Sequence, residues 1–113
     1  MVATDCLFCK IAAKEIPSNI VYETETVVAF PDINPVAPVH LLIIPKQHIA
    51  NIGADGAADV LKDIGLAVKA LAEQYQLEDG YRLVTNCGVA AGQSIQHLHF
   101  HLIGGRTLTW PPG

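Results

Sequence analysis

Three of the five histidines in this 113-residue chain alternate with apolar residues in one short segment near the C-terminus. The alternating residues are His97, Leu98, His99, Phe100, His101 and Leu102. Strict alternation of period two predicts a β-strand with its apolar residues facing the core and its histidines in a row on the other face. Neighbouring histidines then lie about 6.6–6.8 Å apart, and the outer two about 13 Å apart. Because one metal ion binds imidazole at about 2.0–2.1 Å, it does not reach all three, and the row indicates a reaction surface rather than a metal cage.

A row of imidazoles suits nucleophilic chemistry on phosphorus. A neutral imidazole attacks phosphorus directly, and the covalent intermediate divides one difficult step into two easier ones. Imidazole has an ordinary pKa of about 6.5, so most of it is neutral at pH 7. The middle residue, His99, is the expected nucleophile, and His101 and Ser94 are expected to hydrogen-bond the phosphate or the leaving group. Gly88 and Gly92 permit backbone amides to approach a phosphate closely.

Composition and charge restrict the class of function. Half of the residues are hydrophobic, and the length suits one compact domain, residues 1–113. The net charge is −4 and lysine and arginine form no cluster, so we expect no nucleic-acid partner. A small anionic ligand must therefore be held by backbone amides and neutral donors. No apolar run approaches the roughly 18–20 residues that span a bilayer, and residues 1–5 lack the features of a signal peptide, so we expect a cytoplasmic protein without a membrane partner.

The cysteines are odd in number, and two of them, Cys6 and Cys9, form a C-x-x-C pair. This usage is typical of a reduced cytosolic protein rather than of a disulfide framework. The pair alone fits a redox couple, half of a zinc site or two small buried residues. No predicted strand precedes it, which argues against a thioredoxin-type motif.

The other patterns predict the helices that support this segment. A short N-terminal helix is expected over Cys6–Ala13, capped by Thr4 or Asp5. Apolar residues at three- to four-residue spacing predict one long helix over Gly56–Gln76, with Gly80 as a stop signal.

Four further segments are expected to pair with the histidine strand. They are Asn19–Glu23, Thr26–Phe30, Val39–Pro45 and Tyr81–Asn86. An ordered loop, Pro31–Pro38, joins the second and third of them. The resulting fold class is α+β: an antiparallel sheet of about five strands with one long helix and one short N-terminal helix.

The run His-Leu-His-Phe-His-Leu-Ile at 97–103 resembles the alternating signature of the histidine triad (HIT) superfamily. Other segments agree in order and spacing: Cys-Leu-Phe-Cys-Lys-Ile at 6–11, Ala-Phe-Pro-Asp-Ile-Asn-Pro at 29–35, His-Leu-Leu-Ile-Ile-Pro-Lys at 40–46 and Gly-Gln-Ser at 92–94. The resemblance covers essentially the whole chain as a single HIT domain. Gly-Gly-Arg at 104–106 and Trp-Pro-Pro-Gly at 110–113 resemble the Hint branch, the histidine triad nucleotide-binding proteins, rather than the diadenosine polyphosphate hydrolases.

This resemblance implies a homodimeric purine nucleoside phosphoramidase that acts on adenosine or guanosine 5′-phosphoramidates. His99 is then the nucleophile that becomes nucleotidylated, and His101 and Ser94 contact the phosphate and the leaving group, while His97 is the first member of the triad. No cofactor is required for that chemistry. The alternatives are a diadenosine polyphosphate hydrolase or nucleotidyl transferase, and a non-catalytic nucleotide-binding regulatory module.

The resemblance also implies the substrate contacts. Asp32 matches the position that binds the ribose hydroxyls, although a turn residue between prolines is its plainer interpretation. His40 matches a supporting histidine near the site. Positions near the phosphate are matched by Asn86, Gly92 and Gln93. The apolar purine pocket is matched by Phe8, Ile11, Phe30, Ile33 and Leu42, although core packing is an equal alternative for Phe8, Phe30 and Leu42.

Many bacterial HIT proteins place a structural zinc ion on two such cysteines, a histidine after a Pro-Lys-x-His turn and the first triad histidine. The matching residues here are Cys6, Cys9, His48 and His97, a closed Cys₂His₂ set. The implied cofactor is therefore structural Zn²⁺, which also fixes His97. Hint proteins with the Trp-Pro-Pro-Gly ending often lack these cysteines, so the chain combines two patterns.

Two residues depart from the Hint pattern in the site region. Cys87 stands where relatives often carry an acidic residue, and we expect it to fill space. Pro31 replaces the more usual polar residue before Asp32. These departures leave the leaving-group preference open, but not the type of reaction.

Overall fold

The computed structural model describes residues 5–113. Its two α-helices are α1 (Leu7–Ala12) and α2 (Ala57–Gln74). Its strands are β1 (Tyr22–Glu23), β2 (Val27–Pro31), β3 (Val39–Pro45), β4 (Tyr81–Val84) and β5 (Phe100–Gly104), and a 3-10 helix spans Val89–Ala91. Thr4, one of the two expected caps of the first helix, lies outside the described residues, as does most of the segment considered as a signal peptide.

The five described strands form one antiparallel sheet in the order β1-β2-β3-β5-β4. Strand β5 lies between β3 and β4, so His101 has Leu42 on one side and Val84 on the other. Strand β3 has the predicted bounds and is buried along nearly its whole length. The predicted α+β class, with five antiparallel strands, one long helix and one short helix, is confirmed.

Apolar residues form a separate layer on each face of this sheet. On one face, α2 places Ile64, Ala67 and Leu71 against strand residues that include Ile43 and Leu102. The layer on the opposite face, which includes residues of α1, contains Phe8, Ile11, Val28, Phe30, Leu42 and Ile44. Because alternate residues of a strand point to opposite faces, the histidine segment contributes its apolar residues to the α2 layer and its histidines to the α1 face.

The first helix begins one residue later than predicted, and its cap is different. Cys6 rather than Asp5 is the N-cap, since the Cys6 Sγ accepts a hydrogen bond from the Cys9 N–H at 3.4 Å. The helix ends at Ala12 instead of Ala13. A thiol therefore accepts the capping hydrogen bond that an oxygen-bearing side chain accepts at most helix N-termini.

The long helix is also slightly shorter than predicted. It ends at Gln74, and the chain turns at Gln76, whose φ is 56°, rather than at Gly80. In residues 5–113, no helix has both the length and the apolar character that crossing a membrane requires.

Three of the predicted strands are shorter in the structure. Strand β1 holds only the last two residues of Asn19–Glu23, and β4 ends at Val84 rather than at Asn86. The histidine strand begins only at Phe100, because the Leu98 N–H donates to the Ile49 carbonyl at 2.6 Å instead of to a neighbouring strand. His97 therefore lies in a bend, and His99 immediately precedes the strand.

Replacing Leu71 with alanine is expected to lower the free energy of unfolding by about 2–5 kcal/mol, because the side chain is fully buried in the α2 layer. The matched control on the same helix is Leu66→Ala, since Leu66 is 52% exposed and its truncation should change stability by less than about 0.5 kcal/mol. Urea denaturation followed by circular dichroism measures both. Equal losses for the two variants would contradict the burial of this face of α2.

Candidate active site

The triad histidines lie on the face opposite to the α2 layer, and they are largely covered there. His97 is fully buried and His99 nearly so, while the His101 side chain is 19% exposed. Phe8 of α1 covers the first two, with its ring centroid 5.9 Å from that of His97 and 5.1 Å from that of His99. The rings of His99 and His101 lie 5.2 Å apart. Access from solvent therefore increases toward His101.

The hydrogen bonds of His99 determine which of its ring nitrogens is free to react. The His99 Nδ1 lies 2.8 Å from the backbone carbonyl oxygen of His97. A carbonyl only accepts, so Nδ1 carries the hydrogen and, in the neutral ring, Nε2 keeps its lone pair. The Thr85 hydroxyl donates to the His99 carbonyl at 2.9 Å and holds the backbone at this point. His99 thus presents a nucleophilic nitrogen with a fixed orientation.

A chain of hydrogen bonds determines the hydrogen position on His101 in the same way. The Val36 N–H donates to the His40 Nδ1 at 3.1 Å, so neutral His40 carries its hydrogen on Nε2. That nitrogen lies 2.9 Å from the His101 Nδ1 and donates to it. The remaining hydrogen of neutral His101 is then on its Nε2. His101 can therefore donate a hydrogen bond to a bound ligand.

Asp32 lies beside this histidine pair. One of its carboxylate oxygens, Oδ2, is 3.4 Å from the His40 Nε2 and 3.9 Å from the His101 Nδ1. The other, Oδ1, accepts a hydrogen bond from the Asn34 N–H at 2.8 Å. Asp32 therefore acts as a turn residue, which was the plainer interpretation of its position between prolines. A carboxylate offers about four lone-pair positions, so acceptor capacity remains for a ligand hydroxyl.

Two of the triad histidines, His97 and His101, have lowered pKa values and so favour their neutral forms. Burial lowers the pKa of His101 below its ordinary value, and the nearby His99 and His40 rings lower it further, while Asp32 opposes the shift. Burial also lowers the pKa of His97, although its hydrogen bond to the Pro45 carbonyl acts in the opposite direction. A neutral His101 retains the donor arrangement described above.

The loop before the triad is held by the side chain of Gln93. Its Oε1 accepts from the Gly88 N–H at 2.9 Å, and its Nε2 donates to the carbonyls of Ala50 and Ile95 at 2.8 and 3.0 Å. Both amide hydrogens are therefore engaged within the protein, and the side chain of Gln93 fixes the loop. Gly92 has φ of 98°, a left-handed conformation that favours glycine.

Three other predicted residues lie around the loop with different exposure. Ser94 and Cys87 are exposed, and Asn86 is half-buried. Ser94 is therefore accessible to a ligand, as the resemblance implies. Cys87 lies outside the cysteine and histidine cluster described below.

The residues expected to line a purine pocket divide into two groups. Four of them, Phe8, Ile11, Phe30 and Leu42, are buried together in the α1 layer. Phe8 and Phe30 form an edge-to-face pair with centroids 5.7 Å apart. Ile33 stays out of this layer and is 92% exposed on the loop that also carries Asp32. Core packing is thus the observed role of the four, and Ile33 is the member open to a ligand.

Two cysteines and two histidines form a second cluster, which we call the tetrad. Its members are Cys6, Cys9, His48 and His97, and the last of these is also the first triad histidine. Their ligand atoms all lie within 4.8 Å of one another. The His97 Nδ1 is 3.3 Å from the Cys6 Sγ and 3.5 Å from the Cys9 Sγ, and the His48 Nδ1 is 3.3 Å from the Cys9 Sγ. Tetrahedral zinc bonds of about 2.3 Å to sulfur and 2.0–2.1 Å to nitrogen require sulfur–nitrogen separations of about 3.5 Å. The donor set and its spacing therefore fit a zinc ion.

The orientation of His97 supports the same fit. Its Nε2 lies 2.8 Å from the Pro45 carbonyl and so carries the ring hydrogen. The Nδ1 lone pair then points toward the two thiols, which is the arrangement of a metal-bound imidazole supported by an outer hydrogen bond. Sequence reasoning did not single out Pro45 or Thr85. Pro45 acts through its backbone carbonyl, for which the residue type gives no signal.

A HIT domain matches residues 13–108 of this chain. The chain belongs to the HIT family. The resemblance indicated by the triad segment is therefore confirmed.

Three HIT relatives illustrate the similarity. A 14 kDa zinc-binding protein of Zea mays is 50% identical over 111 residues, 95% of this chain and 87% of that protein. The structure of a HIT family hydrolase from Clostridium thermocellum is 53% identical, with a TM-score of 0.91 over 96% of both chains. A histidine triad nucleotide-binding protein from Candida albicans is 38% identical, with a TM-score of 0.83 over 95% of this chain and 83% of that chain.

The stability of this HIT protein is expected to fall as the pH drops below about 6.5. The unfolded chain protonates His101 there, whereas the lowered pKa keeps the folded residue neutral, so the unfolded state binds more protons. The loss begins at the ordinary histidine pKa and stops once the pH is below the lowered pKa of the folded residue. Urea denaturation at steps of half a pH unit between pH 7.5 and 5 measures it.

The control for this pH dependence is His101→Gln, which removes the titrating group but keeps a hydrogen-bonding side chain. The variant should show a smaller loss of stability across the same pH range. Glu23 does not interfere, because its pKa is lowered below 4.5 by Lys46 and Lys14. An unchanged pH dependence in His101→Gln would contradict the assignment.

Proposed function

We propose that this HIT protein hydrolyses purine nucleoside 5′-phosphoramidates through a nucleotidyl intermediate on His99. The observation that carries the proposal is the 2.8 Å hydrogen bond from the His99 Nδ1 to the His97 carbonyl, which leaves the Nε2 lone pair free for attack. The names of the relatives, a hydrolase and a nucleotide-binding protein, support a nucleotide substrate and a hydrolytic outcome.

The reaction consists of two displacements at the α-phosphorus. The His99 Nε2 forms a bond to phosphorus while the phosphorus–nitrogen bond breaks, and the departing nitrogen takes up one proton from solvent and leaves as the amine. Water then attacks phosphorus, the bond to Nε2 breaks, and the proton from the water passes to solvent. His101 donates its Nε2 hydrogen to a phosphate oxygen and so stabilises the charge that develops there.

The groups proposed to hold the nucleotide surround this nitrogen. Gly92 and Ser94 contribute donors to the phosphate from the loop braced by Gln93. Asp32 accepts hydrogen bonds from the ribose hydroxyls with its remaining lone pairs, and Ile33 contacts the base. These are neutral donors and one carboxylate acceptor, as suits an acidic chain that must bind an anion without a cluster of lysine and arginine.

We propose structural Zn²⁺ on the tetrad. The spacing of its four ligand atoms supports this assignment, as does the name of the maize relative. Two thiolates and two imidazoles complete a tetrahedral set, so bound zinc supplies folding energy and leaves the displacement chemistry to His99 and His101. A site that depends on reduced thiols also suits a cytoplasmic protein.

We further propose that two copies pair through β4 as a homodimer. Strand β4 is at one edge of the described sheet, and its Tyr81 and Leu83 are 45% and 41% exposed. An edge strand with exposed apolar side chains is a template for pairing with a second strand. A two-fold axis beside β4 joins two identical edges into one continuous sheet.

The covalent mechanism predicts that wild-type protein mixed with adenosine 5′-phosphoramidate gains the mass of an adenylyl group within a single turnover. His99→Ala should form no adduct and release no amine while still binding AMP, because the nucleophile alone is removed. Rapid-quench intact-mass spectrometry with amine detection measures both events. His101→Gln is the matched control: it should still form the adduct, about 10²–10³-fold more slowly, since it loses one donor to the phosphate.

Turnover by His99→Ala at the wild-type rate would refute the mechanism. Faster cleavage of a diadenosine polyphosphate than of the phosphoramidate would favour that hydrolase class instead. Tight AMP binding by the wild type, with neither adduct nor amine release, would favour a nucleotide-binding regulatory module.

The dimer proposal predicts that Leu83→Lys converts the protein to a monomer, because the lysine of one copy repels the lysine of the second copy at the paired edge. Light scattering coupled to size-exclusion chromatography measures the mass. The control is Leu66→Lys, which places the same charge on an exposed leucine beside the β1–β2 turn at the other end of the sheet. A wild-type protein that is monomeric at micromolar concentration would contradict the proposal.

A further inference from the structure

We infer that the tetrad positions the nucleophile His99, so that metal occupancy controls the orientation of the reactive nitrogen. The inference rests on the proposed function for its effect on catalysis, whereas its effect on the His99 ring is independent of that function. Two connections between the tetrad and His99 support it, one through His97 and one through Phe8.

The first connection is His97, which is held by three of its groups at once. Its Nδ1 faces the Cys6 and Cys9 thiols, its Nε2 donates to the Pro45 carbonyl, and its backbone carbonyl accepts from His99. The same residue therefore belongs to the tetrad and provides the acceptor that determines the His99 tautomer. His97 lies in a bend rather than in the sheet. The peptide unit of its carbonyl is also held by the hydrogen bond from the Leu98 N–H to the Ile49 carbonyl, and the side-chain contacts of His97 act together with that bond.

The second connection is Phe8, which lies between the two cysteines on α1. Its ring packs edge-on against the rings of both His97 and His99. Helix α1 has only six residues, well below the length at which an isolated helix is stable in water. The N-cap of this helix is Cys6 itself, and Cys9 is on its buried side. Joining both thiols to one ion therefore fixes the helix that presses Phe8 onto the nucleophile.

The expected consequence of metal loss is a less ordered His99 ring. With α1 loosened and His97 released at Nδ1, the hydrogen bond from His99 to the His97 carbonyl forms less often, and the fraction of rings with a free Nε2 lone pair falls. Loss of an outer-shell partner typically lowers activity about 10–100-fold. We expect that reduction in kcat, with KM within about threefold, because Asp32 and Ile33 belong to the loop between β2 and β3.

The experiment compares zinc-loaded and chelator-treated protein by NMR of ¹⁵N-labelled histidine. A surface cleft of about 390 Å³ lined by Cys6, His48 and Ser94, among others, gives EDTA access to the tetrad. The expected result is a shift of the His99 ring nitrogens away from the values of an Nδ1–H tautomer as zinc leaves, and its reversal when zinc is restored. Zinc content is measured on the same samples, and kcat and KM are measured alongside.

A pair of variants at His48 separates the role of the metal from that of the fold. His48→Ala removes one ligand and should lose zinc together with the His99 signature. His48→Cys keeps a four-ligand set of a kind that binds structural zinc and should restore both. The control is Val68→Ala in the α2 layer, which should lower thermal stability without moving the His99 nitrogens.

The inference is overturned if metal-free protein that remains folded by circular dichroism keeps the His99 signals of the loaded form. If removal of zinc unfolds the whole chain, the His48 variants decide the question, and His99 signals that do not follow zinc content across them overturn it. A loaded protein that forms no nucleotidyl adduct refutes the proposed function, yet its His99 signals still test the positioning by the tetrad.

Discussion

One hydrogen bond, from the His99 Nδ1 to the His97 carbonyl, sets the chemistry of this site. It is made to a backbone acceptor, so the reactive tautomer does not depend on the protonation of a neighbouring side chain. The acceptor is held in two ways. The Leu98 N–H, which belongs to the same peptide unit, donates to the Ile49 carbonyl, and the two ring nitrogens of His97 contact the Pro45 carbonyl and the thiols. The orientation of the His99 ring therefore depends on a residue that itself has no direct access to solvent.

The two-sided sheet makes such a buried polar cluster possible. The α2 layer supplies a conventional apolar core on one face, so the opposite face can hold several imidazoles at a modest loss of hydrophobic burial. Burying polar groups is costly unless they are paired. Within residues 5–113, no buried side-chain nitrogen or oxygen lacks a hydrogen-bond partner. A fully satisfied network of this kind favours one arrangement, because an alternative packing leaves some of its members unpaired.

Much of this architecture could be predicted from local patterns, and the exceptions share one physical cause. Period-two alternation assigned Leu98 and Leu102 to the core and the histidines to the opposite face, and the apolar run from Val39 to Pro45 identified the central strand. The late start of the histidine strand, at Phe100, could not be predicted in this way, because Leu98 pairs with Ile49, a residue distant in sequence. The cover provided by Phe8 likewise depends on how α1 docks, which local periodicity does not encode.

The pairing of His40 with His101 is another contact that local patterns do not reveal, and it determines which nitrogen of His101 carries the ring hydrogen. The space between the His40 Nε2 and the His101 Nδ1, 2.9 Å apart, holds one hydrogen. The Val36 N–H occupies the other nitrogen of His40, so that hydrogen belongs to His40. A proton added to the His101 Nδ1 must displace the hydrogen bond between the two rings. This restriction acts in the same direction as the burial that lowers the pKa of His101. Neutral His101 therefore keeps its Nε2 hydrogen available as a donor, and the carboxylate of Asp32 remains available as an acceptor.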